Sequence, residues 1–300
     1  MPLIDLAQTT TLEQIATRLP PFPAVVSRLL ILLEREEVSL DELVRLARND
    51  PVITGDILAT ANRLRRLRVQ PDLSDLFAAA TLIGSNQLRR IAVAANMNRF
   101  LACSSVPSHF FQHALAVAIV AQELAMMAGK ASETAFVAGI LHDIGQLGFY
   151  VLDAQAYGAL RRQALAGKEM MMLERTTFGV DHCQLGQALA RYWQLPEVIG
   201  ETIAAHHACP DEWCADLPPL INLAETLSAA LDLPYSIYNR VHSVSRAALA
   251  HLQLRWDDPE MHDCFCRCRI RFAHQLAKLG QTSHDAGGER NAEKIGEGMK

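Results

Sequence analysis

The chain predicts an all-α fold, and three observations carry that expectation. Apolar residues recur at helical spacing in almost every segment. Residues that start and stop helices bracket those segments. No run of alternating, β-branched residues offers a strand. Three hundred residues suffice for one large or two ordinary domains. Half of them are hydrophobic, 20% are charged and 6% aromatic, the balance of an ordinary globular protein.

The elements follow in order. Thr11-Leu12-Glu13-Gln14 is a helix-start signal, and Pro20-Pro21-Phe22-Pro23 ends that helix. Helical spacing resumes over 24–36. Ser39-Leu40-Asp41-Glu42 is a capping box, in which the serine hydroxyl and the glutamate can each satisfy a free N–H. The helix it opens carries Leu40, Leu43, Val44, Leu46 and Ala47 on one face and stops near Asn49-Asp50-Pro51. Segments 52–64, 75–82 and 86–100 follow. Ser104-Ser105-Val106-Pro107-Ser108 reads as a boundary between an N-terminal helical part, 1–103, and a second helical domain, 104–279. The second part has helices near 109–128, 131–142, 153–166, 181–193, 196–207 and 217–231. Asp258-Pro259-Glu260 supplies the N-cap, N1 proline and first-turn acid of a last helix. From about Gln281 apolar residues nearly vanish, so 280–300 is expected to be a disordered tail.

Charge and composition exclude some functions. A net charge of -5 speaks against a broad nucleic-acid surface, which needs an excess of Lys and Arg. Arg63-Leu64-Arg65-Arg66-Leu67-Arg68, with Arg89-Arg90, is a local exception. It reads first as a solvated helix face or loop and second as a contact for an anionic partner or nucleic acid. Ala114 to Ala128, the most apolar stretch, is interrupted by Gln122 and Glu123 and is expected to be too short to cross a bilayer. The N-terminus has no basic segment followed by an apolar core. Seven unevenly spread cysteines suggest reduced thiols and a cytoplasmic setting. Cys264, Cys266 and Cys268 are spaced by single residues, unlike zinc ligands, and read as buried or incidental thiols.

The candidate chemistry centres on Ala138-Gly139-Ile140-Leu141-His142-Asp143-Ile144-Gly145. Adjacent His142 and Asp143 offer a metal one imidazole and one carboxylate. His113 lies upstream; His182, the pair His206-His207 and Glu225 lie downstream. Each has an ordinary reading. His113 fits a hydrogen-bonded core histidine, and Asp181-His182 contains a natural N-cap. His142-Asp143-Ile144-Gly145 fits a helix C-terminus closed by glycine, although a carboxylate there is electrostatically disfavoured. His206 and His207 are about 100° apart on a helix, so each addresses a different partner. Together they suit one or two ions of Fe, Mn, Zn or Ni; two ions about 3.5–4 Å apart activate water and clamp a phosphoryl oxygen.

His142-Asp143-Ile144-Gly145 resembles the signature of the HD superfamily of metal-dependent phosphohydrolases. Several N-terminal strings are more specific: Leu19-Pro20-Pro21-Phe22-Pro23-Ala24-Val25, Asn49-Asp50-Pro51-Val52, Leu58-Ala59-Thr60-Ala61-Asn62 and Ala80-Thr81-Leu82-Ile83-Gly84. With Phe178-Gly179-Val180-Asp181-His182, Trp193-Gln194-Leu195-Pro196 and Ile203-Ala204-Ala205-His206-His207, they are similar to an HDOD domain, the HD-related output domain of bacterial signalling proteins. The resemblance covers roughly residues 12–231 and implies an HD-like helical bundle with an N-terminal helical subdomain. It also implies a mainly regulatory role with signalling protein partners. The order of the ligands is similar to that of the HD-GYP cyclic-di-GMP phosphodiesterases, which implies a nucleotide or cyclic dinucleotide ligand. This chain departs from them at three points. The phosphate-contacting lysine after the HDxG string is Gln146, Glu225 stands for a late aspartate, and Ala208-Cys209-Pro210 replaces a Gly-Tyr-Pro string. Two functions therefore stay open: a regulatory module without turnover, which the departures favour, and a metal-dependent phosphohydrolase. Nucleic acid and membrane are not expected as partners; the apolar helices could support a homodimer.

Overall fold

A computed structural model of the chain describes residues 9–20, 22, 23, 26, 39–48, 50–102, 107–165, 169–236, 241 and 243–296. Side chains are described over most of this range, up to residue 277. Among the described residues every regular element is a helix. We number them α1 (Thr9–Arg18), α2 (Leu40–Arg48), α3 (Pro51–Leu67), α4 (Leu76–Ile83), α5 (Ser85–Ala102), α6 (Ser108–Met127) and α7 (Ser132–Leu141). There follow α8 (Gly145–Leu165), α9 (Met170–Phe178), α10 (His182–Tyr192), α11 (Glu197–Ala205), α12 (Leu217–Ala230), α13 (Arg246–His251) and α14 (Pro259–Gly296).

The start and stop residues explain most boundaries. Ser39 Oγ accepts from the Glu42 N–H at 3.2 Å, the first half of the expected capping box. The Asp258 carboxylate accepts from the Glu260 N–H at 2.9 Å at the head of α14. Thr11 lies inside α1, which already includes Thr9. The expected helix over 24–36 falls almost wholly outside the described residues, as does most of the 104–108 boundary. Two helices had no counterpart in the sequence reading: α9 and α13. The expected helix over 153–166 is the second half of a longer one. Asp153 breaks α8 with an extended backbone (φ -155°, ψ 91°), and its carboxylate caps the second piece through the Ala156 N–H at 2.8 Å. Helix α14 runs to Gly296 and so enters the segment whose composition suggests a tail.

Helices α2 to α5 pack on one another, and α5 then lies on α6 and α7. Helix α6 is the axis of the second half, flanked by α7, α12 and α14. It is apolar all round because it is covered all round: Ala116 to Ala121 are 0–1% exposed. Two stretches, His109–Met127 and Ser132–Ala164, are long and apolar enough to cross a membrane by that test alone. All but the last residue of the apolar stretch Ala114–Ala128 lies within the first of these, and the apolar 18-residue windows of the two are 78% and 83% buried inside the fold, as in core helices. Gly139 lets α6 and α7 touch, since a Cβ there would lie 2.5 Å from Ala118 Cα. The two halves share one continuous core. Helix α1 lies against α8 and α10, and Phe22 stacks on Trp193 (4.8 Å, 24°) with Phe100 at the edge of both. Each such aromatic pair contributes about 0.5–1.5 kcal/mol beyond its buried area.

The basic string does not form one patch. Arg66 pairs with Asp72, with Nε at 3.0 Å, and Arg65 donates to the Pro71 carbonyl. Arg63 instead faces a cleft described below.

Candidate metal centre

The chain turns sharply between α7 and α8. The Ile144 N–H donates to Leu141 O at 3.0 Å and the Gln146 N–H to Asp143 O at 2.9 Å, so residues 142–144 form a tight turn. Gly145 does not close a helix, as the local pattern suggests; it opens the next one, and it is not in the left-handed region where capping glycines sit. The turn leaves His142 fully buried and Asp143 5% exposed, with their side chains aimed at the ends of three other helices.

Asp143 is the hub. Its Oδ2 lies 3.7 Å from His113 Nε2 and 3.5 Å from His142 Nε2. Its Oδ1 lies 3.4 Å from His182 Nε2 and 3.9 Å from His206 Nε2. Each carboxylate oxygen thus serves a different pair of imidazoles. None of these approaches is a hydrogen bond: Asp143 Oδ1 and the Nε2 atoms of His142, His182 and His206 are buried with no partner. Four orphaned polar atoms around one point are costly unless something binds them, about 1–3 kcal/mol each.

The opposite ring nitrogens are all engaged. His142 Nδ1 meets Gly139 O at 2.8 Å and His206 Nδ1 meets Ile203 O at 2.8 Å. His182 Nδ1 meets Glu174 Oε2 at 2.7 Å. A carbonyl can only accept, so Nδ1 of His142 and His206 carries the hydrogen and Nε2 presents its lone pair inward. That is the tautomer a metal requires. Residues, buried orphans and donor chemistry therefore fit a metal ion.

Electrostatics favour a metal at Asp143, His206 and His113 and oppose it at His182. Burial works to raise the Asp143 carboxyl, but His142, His182, His113 and His206 together drive it well below the usual carboxylate range. Burial, then the neighbouring rings, pushes His206 well below an ordinary imidazole, and His113 is lowered by burial and His142. Burial also acts to lower His182, yet hydrogen bonds to Cys183 and Glu174 with the charge of Asp143 raise it. His182 would have to be neutral to hold a metal there, so binding would be coupled to proton release.

The remaining candidates sit at the edge. His207 Nε2 lies 3.7 Å from Glu225 Oε2, and both are 27% exposed. The two rings at the end of α11 thus address different carboxylates, Asp143 and Glu225. Glu225 is also within ligating range of His142 and His206, whereas His113, 30% exposed, groups with His142 and Asp143. Asp181 and His182 divide their work. The Asp181 carboxylate accepts from the Gln184 N–H at 2.9 Å and from Arg175 Nε at 2.7 Å as a cap, leaving His182 free to point inward. Gln146 is largely buried in the first turn of α8, one turn past His142. Cys183 joins a third potential ligand group with His182 and His206, but burial raises its thiol and keeps it protonated.

Sequence reasoning missed Glu174. It is fully buried on α9, accepts from Tyr157 OH at 2.8 Å, and binds both the backbone N–H (2.9 Å) and Nδ1 of His182. The only sequence signal was a lone acid within Met170-Met171-Met172-Leu173-Glu174, a helix without a side-chain N-cap. Glu174→Gln keeps the shape but removes the negative charge: the new NH₂ can donate to the Tyr157 hydroxyl, leaving only a neutral oxygen to hold the His182 N–H groups. It is expected to weaken metal binding about 10–100-fold, read by competition with a chelator while circular dichroism confirms the fold. Unchanged affinity would leave Glu174 only a packing role.

A cavity of about 810 Å³ opens onto His182 and His207. Its lining includes the exposed Met172, Arg175 and three acids, Glu169, Asp181 and Glu212.

The fold has counterparts among solved structures. A crystal structure of an HDOD domain protein of unknown function from Geobacter sulfurreducens superposes with a TM-score of 0.65 at 21% identity, covering 92% of this chain and 94% of that one. An inferred signal-transduction protein of Marinobacter aquaeolei VT8 gives 0.70 at 18%, covering 94% and 67%. An inferred phosphohydrolase of Shewanella amazonensis SB2B gives 0.62 at 20%, covering 90% and 95%. At these identities the likeness is one of fold. An uncharacterized protein of Treponema pallidum (strain Nichols) is 27% identical over 211 residues, 68% of this chain but 41% of that relative, so the chain spans about two fifths of its length. The signature of the HDOD domain family matches residues 19–209, from the proline-rich string to just past His206-His207, and with that match the chain belongs to the HDOD domain family.

Proposed function

We propose that this chain is a regulatory signalling module built around a metal centre of one or two ions, and that it acts by binding rather than by turnover. The carrying observation is the set of buried, unpartnered ligand atoms around Asp143. His113, His142 and Asp143 Oδ2 form one half-site; His182, His206 and Asp143 Oδ1 form the other. His207 and Glu225 stand at the rim, where either half-site could recruit them. Mixed imidazole and carboxylate donors suit Fe, Mn, Zn or Ni. A metal held there supplies Lewis acidity and a fixed positive charge.

Two features favour binding over hydrolysis. Gln146 is neutral where the related enzymes place a lysine, so no positive charge meets developing phosphate charge from that side. The mouth holds three carboxylates against one arginine, and Arg175 is already committed to Asp181. A polyanionic dinucleotide meets repulsion there, while the flexible methionines of α9 suit a protein partner. The module's site of action is proposed to be the cytoplasm, on the uneven spread of its seven cysteines.

The second reading, a phosphohydrolase acting on a nucleotide or cyclic dinucleotide, draws on the near-complete ligand set. Metal-loaded protein incubated with bis(p-nitrophenyl) phosphate and with cyclic-di-GMP separates the two. No hydrolysis above the metal-free background is expected; turnover that disappears in His142→Ala would replace the regulatory reading with the catalytic one.

A further inference from the structure

A second cleft lies away from the metal centre, where α3, α5, α6, α7 and α14 converge. Its volume is about 240 Å³, at the small end for ligand pockets. Ile119, Phe136 and Ile270 give it an apolar side. Arg63, Arg90 and Arg271 give it three guanidiniums, and no carboxylate lines it, in a chain whose net charge is -5.

Two of the three guanidiniums already have carboxylate partners behind the cleft. Glu133 Oε1 accepts from Arg90 Nη1 at 3.2 Å and from Gln122 Nε2 at 2.9 Å. Glu123, 2% exposed, accepts from Arg267 Nε at 2.7 Å and from Arg271. Even so, Arg90 Nε is buried without a partner, and burial with the repulsion of Arg271 acts to lower the Arg90 pKa. Arg63 forms no hydrogen bond or ion pair among the described residues and stands exposed at the rim. What stays open toward the cleft is the Arg63 guanidinium and the Nε of Arg90, donors that an anion could satisfy. Arginine is also the side chain best shaped to hold a phosphate through two parallel N–H bonds.

We propose that this cleft binds a small phosphate-bearing molecule, its phosphate held by Arg63, Arg90 and Arg271 and its organic body lying on the exposed Ile270. Such a ligand would clamp the N-terminal helices onto α14, so occupancy would be sensed by both halves. The site is independent of the metal centre and uses none of its ligands.

Calorimetric titration of the full chain at constant ionic strength tests this, with inorganic phosphate and AMP as probes. Saturable binding of either is expected. It should weaken about tenfold or more in Arg63→Glu, a change at an exposed residue that leaves the core untouched, and persist in Asp143→Ala. Three results would overturn the proposal: no binding of either probe, equal affinity in Arg63→Glu, or loss of binding in Asp143→Ala, which would move the phosphate to the metal centre. A short nucleic-acid duplex that displaces AMP with a steep salt dependence would overturn the small-molecule assignment.

Discussion

Asp143→Ala is expected to empty both metal half-sites at once. Protein purified without a metal-binding tag should carry one to two equivalents of Fe, Mn, Zn or Ni per chain, read by elemental mass spectrometry; the variant should carry almost none. Asp143 is singular because its two oxygens face different imidazole pairs, at 3.5–3.7 Å on one side and 3.4–3.9 Å on the other. Losing one histidine disturbs one half-site, whereas losing Asp143 removes the shared anion. Stability follows occupancy. A metal present at a thousand times its dissociation constant adds about 4 kcal/mol, equivalent to a melting shift on the order of 10 °C. Metal-loaded wild type should therefore melt well above chelated wild type, and Asp143→Ala should ignore both metal and chelator. Metal-free wild type that stays folded and takes up no ion when offered one would reduce the cluster to a remnant.

Gly145→Ala is expected to be the most damaging single-methyl change. A Cβ at Gly145 would lie 2.0 Å from His182 O, 2.6 Å from Gly186 N and 2.9 Å from His182 C. All three are backbone atoms, so no side chain can swing aside. Helix α8 must retreat from α10, and the retreat draws His142 and Asp143 away from His182. We expect at least about 3 kcal/mol of destabilisation, with loss of metal even in protein that still folds. Gly158→Ala, further along α8, is the control. Its Cβ would meet nothing nearer than Arg162 Nη1 at 3.7 Å, so it should be neutral or stabilising by about 0.5–1 kcal/mol. Thermal unfolding followed by circular dichroism compares them; similar melting of the two variants would show that α8 and α10 are not held at this spacing.

How much could be read without coordinates depended on how local each signal was. The all-helical class was legible because 3.6-residue periodicity and capping are written within a few residues of one another, as at Ser39 and Asp258. Helix α9 was not: it starts without a side-chain cap, and its methionine run has no clean polar face. With α9 went Glu174, whose role exists only because Tyr157 and His182 come from other helices to meet it. Gly145 was misread for a related reason. A glycine after a helical run is a stop signal by local rules, but here it is needed for a close backbone approach that no local pattern records.

By itself, then, the sequence determined the class of fold, the HDOD resemblance and the identity of the donor atoms, since these depend on periodicity, strings and side-chain chemistry. Only the tertiary structure decided that Asp143 faces four imidazoles, that its two oxygens divide them, and that Arg63 leaves the basic string to join Arg90 and Arg271. Those facts are distances between residues far apart in the chain. They are set by how the buried faces of α6, α7, α8 and α10 pack, and no spacing along the sequence encodes them.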